Sequence, residues 1–557
     1  MQNILELKAM SSLEKCFLDE HLADKREQTQ FTVFHNQRLC FQLGACSHHE
    51  KLYRIRCRVR LSGDLAEFAS VRLVTSMPSA FPCIPTVGDD RYIRRQPGLY
   101  PDLLRPLNYR GCVSLLVHQP QVLWIEAELP PELPAGLYTL TAELQDMNSG
   151  EPYGSQTVTV RVLEEELPPQ RLIHTEWFYA DCLASYYHVP VFSERHWRII
   201  ERFLRAAVKN GINMILTPVF TPELDTYIGG ERPTTQLLGI TVEEPGRYRF
   251  DFSLLERWID LCRSVGVEYF EIPHFFTQWG AKHAPKFVAS VNGRKKRIFG
   301  WETDSCGEDY RQFLSQMLPA LVSFLEQKGV ASRTYFHVSD EPHLDCLEQY
   351  RRCKELIAPY LKNYPIIDAL SDYDFYESGA LEKPAPAIKN IQPFLDHGVK
   401  GLWAYYCGAS GVNVTGRMLA MSLCRTRILG LQLYLAGIEG FLHWGYNFYY
   451  NQNSYDPVNP FLFTDGEYFV PSGDTFLVYP GEGGEVWESM RLNAMREATE
   501  DIRTLELCEQ KCGRETVERL VLEANGGKPI TFTEWPDDPA FLLDLRDRLI
   551  ACIEAAG

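Results

Sequence analysis

Between Gln170 and about residue 450 the sequence alternates short apolar runs with longer helical stretches, and this rhythm constrains the fold more than anything else in the chain. The apolar runs are 172–179, 213–216, 268–272, 334–338, 365–368, 385–388, 401–406 and 440–444. Helical periodicity fills most of the gaps, at 194–210, 253–264, 310–328, 344–359 and 418–436, and Gly211 and Gly266 stand where C-terminal caps belong. Strands apolar on both faces, each followed by a helix, belong to a parallel sheet covered by helices. Eight such units predict a TIM-type (β/α)8 barrel. The sixth run fits least well, because Pro384 and Pro386 interrupt it.

Ahead of this region the text is strand-like. Residues 52–61 place Tyr53, Ile55, Cys57, Val59 and Leu61 on one face and Arg54, Arg56, Arg58 and Arg60 on the other, the pattern of a half-buried antiparallel strand. The arginine row reads as a solvated face. Tyr138, Leu140, Ala142 and Leu144 repeat the alternation, as do Val158, Val160 and Val162, with turns at Pro130-Pro131 and Pro134-Ala135-Gly136. An N-terminal β-sandwich is the expected architecture, and E-E-E-L-P-P at 164–169 leads out of it. Beyond the barrel come a long loop at 447–468, a short strand at 473–481 and helices at 486–512, 516–524 and 541–555. A multidomain α and β chain of 557 residues results. It divides into a sandwich at 1–167, a barrel at 168–450 and a small C-terminal strand and helix region at 451–557 packed on the barrel.

A formal charge of −17 argues against nucleic acid or an anionic membrane as partner. A neutral ligand suits the 10 Trp, 28 Tyr and 30 Phe better, since flat apolar faces hold sugars. No apolar run is long enough to span a bilayer, and the N-terminus lacks a basic segment followed by an apolar one, so a cytoplasmic protein is expected. Sixteen cysteines without regular spacing read as free thiols. Cys508 and Cys512 stand one helical turn apart with no second pair nearby, so they read as packing and not as zinc ligands. Asn413-Val414-Thr415 matches a glycosylation acceptor that has no use without export.

The chemistry concentrates at Thr334 to His343, T-Y-F-H-V-S-D-E-P-H. The fourth strand ends there on Asp340 and Glu341, and Pro342 marks the loop that follows. Neighbours on a regular strand face opposite ways, so the two carboxyls share a pocket only if the backbone turns. They also need a proton between them or separate partners, and such a split supplies an acid and an anion at one pH. Taken alone, S-D-E-P is better read as a helix cap followed by a first-turn acid, and only the surrounding chain reverses that. Other strand ends contribute Trp177 and Tyr179; His274, Gln278 and Trp279; Asp368 and Asp372; Tyr405 and Tyr406; and Trp444, Tyr446 and Asn447. No two histidines stand at ligand spacing on one helix, His337 and His343 read as packing, and neither metal nor cofactor is expected.

The order H-V-S-D-E-P, L-W-A-Y-Y, G-F-L-H-W-G-Y-N, G-D-T-F-L-V-Y-P-G and E-S-M-R-L-N-A-M-R-E-A-T-E-D resembles glycoside hydrolase family 123 over nearly the whole chain. The resemblance implies a retaining β-N-acetylgalactosaminidase whose substrate, a glycan or disaccharide with a terminal β-N-acetylhexosamine, supplies its own nucleophile. Glu341 would then be the general acid and later the base, and Asp340 would hold the acetamido N–H and stabilise the oxazolinium. Tyr405 or Tyr406 would polarise the acetamido oxygen, alternation favouring Tyr406, and Trp444 would form the floor under the ring. Trp177, His274, Trp279, Asp368 and Asn447 complete the candidate contacts. Two other readings stay open: a conventional glycosidase with Asp368 or Asp372 as second carboxylate, and a carbohydrate-binding relative without catalysis.

Overall fold

The computed structural model describes residues 4–49, 51–86, 88–89, 91–408 and 411–557. The chain divides into two compact units, one of Met1–Gln170, Thr415–Leu435 and Trp487–Gly557, the other of Arg171–Val414 and Ala436–Val486.

In the first unit, alternation builds two five-stranded sheets. One runs Leu5–Ser11, Leu39–Ser47, Gln121–Ala127, Ala69–Ser79, Gly98–Pro106 and the other Gln30–Val33, Pro152–Val162, Gly136–Asp146, Arg54–Ser62, Cys112–Leu116. Leu43, Leu123 and Ile125 from the first meet Ile55, Leu140, Leu144 and Val160 from the second in one apolar core. Arg54, Arg56, Arg58 and Arg60 lie exposed opposite buried Ile55 and Cys57, while Tyr53 falls outside the strand and is exposed. The sequence reading set residues 451–557 apart in a C-terminal region on the barrel; in the structure Trp487–Gly557 join the sandwich residues in one unit and the residues before them stay with the other. The helix Met490–Cys512 carries buried charges, and these find partners within that unit. Arg491 Nε and Nη2 donate to Asp102 at 2.8 and 2.9 Å, and Arg427 bonds to Glu497 and Asp501. Gly430 lies so close to the Ala498 backbone that a Cβ there would stand 2.1 Å from its carbonyl oxygen. Helical periodicity reveals a buried face but not which surface covers it.

Among the described residues the second unit holds eight parallel strands at Ile173–Glu176, Met214–Leu216, Tyr269–Glu271, Thr334–Tyr335, Ile367–Ala369, Lys383–Ala385, Trp403–Tyr405 and Gly440–His443. Regular ladders join six of them in the order fourth, third, second, first, eighth, seventh, and the fifth and sixth form a separate pair. The two sets touch through single bridges, Phe336 to Ile366 and Ala387 to Tyr405. The curled sheet is thus regular along part of its course only, and Pro365 and Pro386, which have no N–H to donate, stand at the interruptions. Helices Glu194–Lys209, Ser253–Val265, Glu308–Gln327 and Leu347–Leu361 follow the first, second, third and fourth strands in turn. Ser193 caps the first through the His196 N–H, and Gly266, at φ 96°, ends the second.

Two hairpins were not foreseen from the sequence. Gly239–Glu244 with Arg247–Asp251, and Phe287–Val291 with Arg294–Phe299, combine into a four-stranded sheet within the loops after the second and third strands. Asn292 and Gly293 turn the second hairpin with φ 51° and 77°, the Asn-Gly signature of a two-residue turn. Among the described residues no helix is long and apolar enough to cross a membrane.

Candidate active site

The ends of the parallel strands surround a cavity of about 280 Å³ lined by Trp177, Trp279, Asp340, Glu341, Tyr405 and Trp444, with Asp225, Gln278, Asn453, Phe469 and Asp474 supplied by loops. Its volume is at the small end of the range for ligand pockets. The strand carrying the carboxylates stops regular pairing at Tyr335, Phe336 bridges to Ile366, and Trp279 N–H donates to the Asp340 carbonyl at 3.3 Å. Glu341 then adopts φ 43°. That left-handed residue is the turn needed to bring two successive carboxyls to one cavity. Asp225, Trp279 and Asn453 are left-handed as well, at φ 48°, 59° and 59°, so backbone strain gathers in the lining.

Burial pushes the Asp340 carboxyl well above its usual range, and the charges of Glu341 and Asp368 add to this against the opposing effect of His337. Glu341 Oε1 accepts the Tyr405 hydroxyl at 2.6 Å. In the same lining Asp225, raised to about 6 by burial, accepts the Asn453 N–H at 3.2 Å, and its own N–H donates to Gln278 Oε1 at 2.7 Å.

Behind the lining lies a fully buried ionic layer. His337 stands between Glu271, at 2.7 Å from Nε2, and Asp368, at 3.1 Å from Nδ1. Burial alone would lower this imidazole, but hydrogen bonds to Asp368 and Glu271 and their charges outweigh it and raise it to about 9. Burial raises Asp368 against the effects of His337, Tyr350 and Val338. The Tyr350 hydroxyl at 2.6 Å, the Val338 N–H and His337 all donate to its oxygens, an arrangement that favours the ion pair. Glu271 also accepts Thr175 Oγ1 at 2.5 Å and Trp177 Nε1 at 2.7 Å, which fixes the indole of Trp177 in the lining. A similar layer holds Trp444: its Nε1 donates to Asp474 at 3.0 Å, and Asp474 further accepts Gly408 N–H at 2.9 Å and His443 Nε2 at 3.2 Å.

The profile described as the glycoside hydrolase 123 catalytic domain matches residues 177–508. The chain belongs to glycoside hydrolase family 123. It is therefore a glycoside hydrolase acting on a glycan. A family 123 glycoside hydrolase from Clostridium perfringens, described in connection with glycolipid glycan hydrolysis, shares the fold with a TM-score of 0.73. Identity is 15%, over 99% of this chain and 98% of that one. A Bacteroides uniformis β-glucuronidase aligns over 80% of this chain and 47% of its own at 11% identity, with a TM-score of 0.30. A family 5 mannosidase from Rhizomucor miehei covers 62% and 95% at 10% identity, with a TM-score of 0.31. Both are too distant to inform the site. No curated protein sequence matches.

Within this family 123 chain the sequence-derived residues separate into two sets. Asp340, Glu341, Tyr405, Trp177, Trp279 and Trp444 meet at the cavity. Tyr406, His274, Asp368 and Asn447 do not line it. Tyr406 is fully buried against the rings of Phe441 and His443, because the seventh strand ends at Tyr405 and strict alternation no longer applies beyond it. His274 is buried with its ring 4.2 Å from that of His337, and Asp368 belongs to the ionic layer. Asn447 clasps Tyr179, accepting its N–H at 2.8 Å and donating to its carbonyl at 3.0 Å. Asp372 caps a short helix by accepting the Phe375 N–H. Sequence reasoning missed Asp225, Asp474 and Glu271. Asp474 sits inside the quoted motif G-D-T-F-L-V-Y-P-G and was the most accessible of the three.

Donor atoms of His274, His337 and Asp368 lie within 4.8 Å of one another, the spacing of a metal cluster. Both ring nitrogens of His337 are already committed to carboxylates, so this set is more consistent with an ion-pair layer than with a metal centre.

Proposed function

We propose that the protein is a retaining exo-β-N-acetylgalactosaminidase in which the substrate's 2-acetamido group is the nucleophile. One observation carries this reading: two adjacent carboxyls turned into a single cavity, with a tyrosine hydroxyl on one of them. Ordinary retention calls for carboxyls on opposite sides of the bond, about 5 Å apart. Neighbouring acids on one side suit a sugar that brings its own nucleophile.

In the first step the acetamido oxygen attacks the anomeric carbon while Glu341 gives its proton to the departing glycosidic oxygen. The oxazolinium that forms is positive on nitrogen, and Asp340 accepts its N–H. In the second step Glu341 takes a proton from water, which adds to the anomeric carbon and reopens the ring. In the ligand-free cavity the raised carboxyl of Asp340 keeps its proton beyond the usual range. A docked acetamido N–H needs an acceptor, so binding shifts that proton toward Glu341, where the first step uses it. Trp444 and Trp177, locked by Asp474 and Glu271, supply apolar faces for the ring. A cavity of about 280 Å³ suits one terminal sugar.

A second reading is supported by Asp225 and Asp474, two further carboxylates at the same cavity. Either would be the nucleophile or base of a conventional two-carboxylate enzyme, a part for which Asp368 and Asp372 are misplaced. Hydrolysis of matched aryl β-glycosides separates the readings. Release from the N-acetylgalactosaminide, less from the N-acetylglucosaminide and none from the plain galactoside is the expected order. Comparable release from the plain galactoside would overturn substrate assistance, since that sugar has no acetamido oxygen.

A further inference from the structure

In the helical part of the sandwich unit three thiols converge. Cys508 and Cys512 lie one turn apart on the last stretch of the helix Met490–Cys512 and so share a face. Cys552 comes from the helix Pro539–Ala555, forty positions beyond Cys512. Their three sulfurs lie within 4.8 Å of one another, and the Cys512 and Cys552 sulfurs are 3.2 Å apart. From the sequence the Cys508 and Cys512 pair reads as packing because no further donor is near it in the chain; folding delivers the third.

Three features make this a site. First, thiolates bound tetrahedrally at zinc–sulfur bonds of about 2.3 Å stand about 3.8 Å from each other, within the spread found here. Second, Cys508 is fully buried while Cys512 and Cys552 are partly exposed, so core backs the triangle on one side and solvent reaches it on the other. Third, Lys511 adjoins it, its ammonium 3.1 Å from Glu165 and 3.5 Å from the Ile553 carbonyl, and its charge favours the Cys512 thiolate. Burial nonetheless pushes the Cys508 and Cys512 thiols up. As protonated thiols they are poor nucleophiles, which disfavours a redox-active pair. A soft cation reverses this by taking the place of the protons.

We propose that Cys508, Cys512 and Cys552 together bind one thiophilic divalent cation of the zinc and cadmium class, fastening the end of helix Met490–Cys512 to helix Pro539–Ala555. Each thiol releases its proton to solvent, a metal–sulfur bond forms in place of each S–H bond, and water keeps the fourth position. No oxidant enters.

The test is titration of the reduced full-length protein with cadmium ion, reading thiolate-to-metal charge-transfer absorption in the ultraviolet together with proton release. The expected result is saturation at one ion per chain, release of protons, and a thermal midpoint that rises with free cadmium by linkage. Cys512→Ser and Cys552→Ser, checked for parent-like near-ultraviolet circular dichroism, should lose the high-affinity absorption and the midpoint shift. Absorption that is absent from the parent, or unchanged in both variants, would overturn the proposal. So would isolation of the untreated chain with Cys512 and Cys552 joined as a disulfide.

Discussion

Tyr405 donates its hydroxyl to Glu341 Oε1 across 2.6 Å, whereas Tyr406, one residue on, is buried against Phe441 and His443. Two adjacent tyrosines therefore have unequal consequences. Tyr405→Phe should lower kcat on an N-acetylhexosaminide by about 10²-fold, the usual cost of one lost donor at a developing charge. Tyr406→Phe should leave kcat near the parent value. Steady-state kinetics on the two variants checks this, and the reverse ranking would exclude Tyr405 from the reaction.

Asp340 is a liability to the fold. Its carboxyl is raised by burial, so the folded state holds a proton that the unfolded chain gives up near the ordinary value of 3.8. The stability this group contributes is complete below that value and is lost as pH rises through the raised one. Asp340→Asn should therefore be more resistant to urea than the parent at neutral pH, with the difference vanishing in acid. Its activity should fall about 10²- to 10³-fold.

Glu341 is tested by leaving group. Glu341→Gln removes the proton donor, which costs about 10²- to 10⁴-fold on glycosides of basic alcohols. Aryl glycosides with acidic phenols need less protonation, so their first step should suffer much less. Equal loss on both classes would argue for a role other than general acid.

His337 stabilises through charge. Raised to about 9 from an ordinary 6.5, it contributes stability that is fully present below pH 6.5 and is lost as pH rises through 9. Urea unfolding of the parent should weaken across that window. His337→Gln should lack the slope and cost about 3 to 5 kcal/mol at neutral pH, because Glu271 and Asp368 are left buried without their cation.

The legible part of the site was the part governed by strand ends. Asp340 and Glu341 could be read because an apolar run stops at a proline, Trp177 and Trp444 because they follow strands directly, and Trp279 because it stands in the loop after one. His274 and Asn447 follow strands too, and Asp368 lies within one, yet their polar groups turn to one another or to the backbone. A sequence locates such residues along a strand without showing which partner satisfies them. Asp225 and Asp474 arrive on loops, where no period marks orientation. For the fold, alternation conveyed three strands of one sandwich sheet and none of the other, and the apolar runs conveyed all eight parallel strands. The Asn292-Gly293 hairpin carried a turn signal that went unused, and the partner of helix Met490–Cys512 lay beyond any local pattern.

The chain passes between the two units four times, at 170, 414, 435 and 486. Neither unit is thus a contiguous stretch of the gene. A protein started at residue 171 would keep Arg427, Arg491 and the helices around them but lose Asp102 and the sheets; one ended at residue 170 would lose the cations instead. Truncation or shuffling at the apparent linker would separate residues from the first and last parts of the chain that belong together in the sandwich unit.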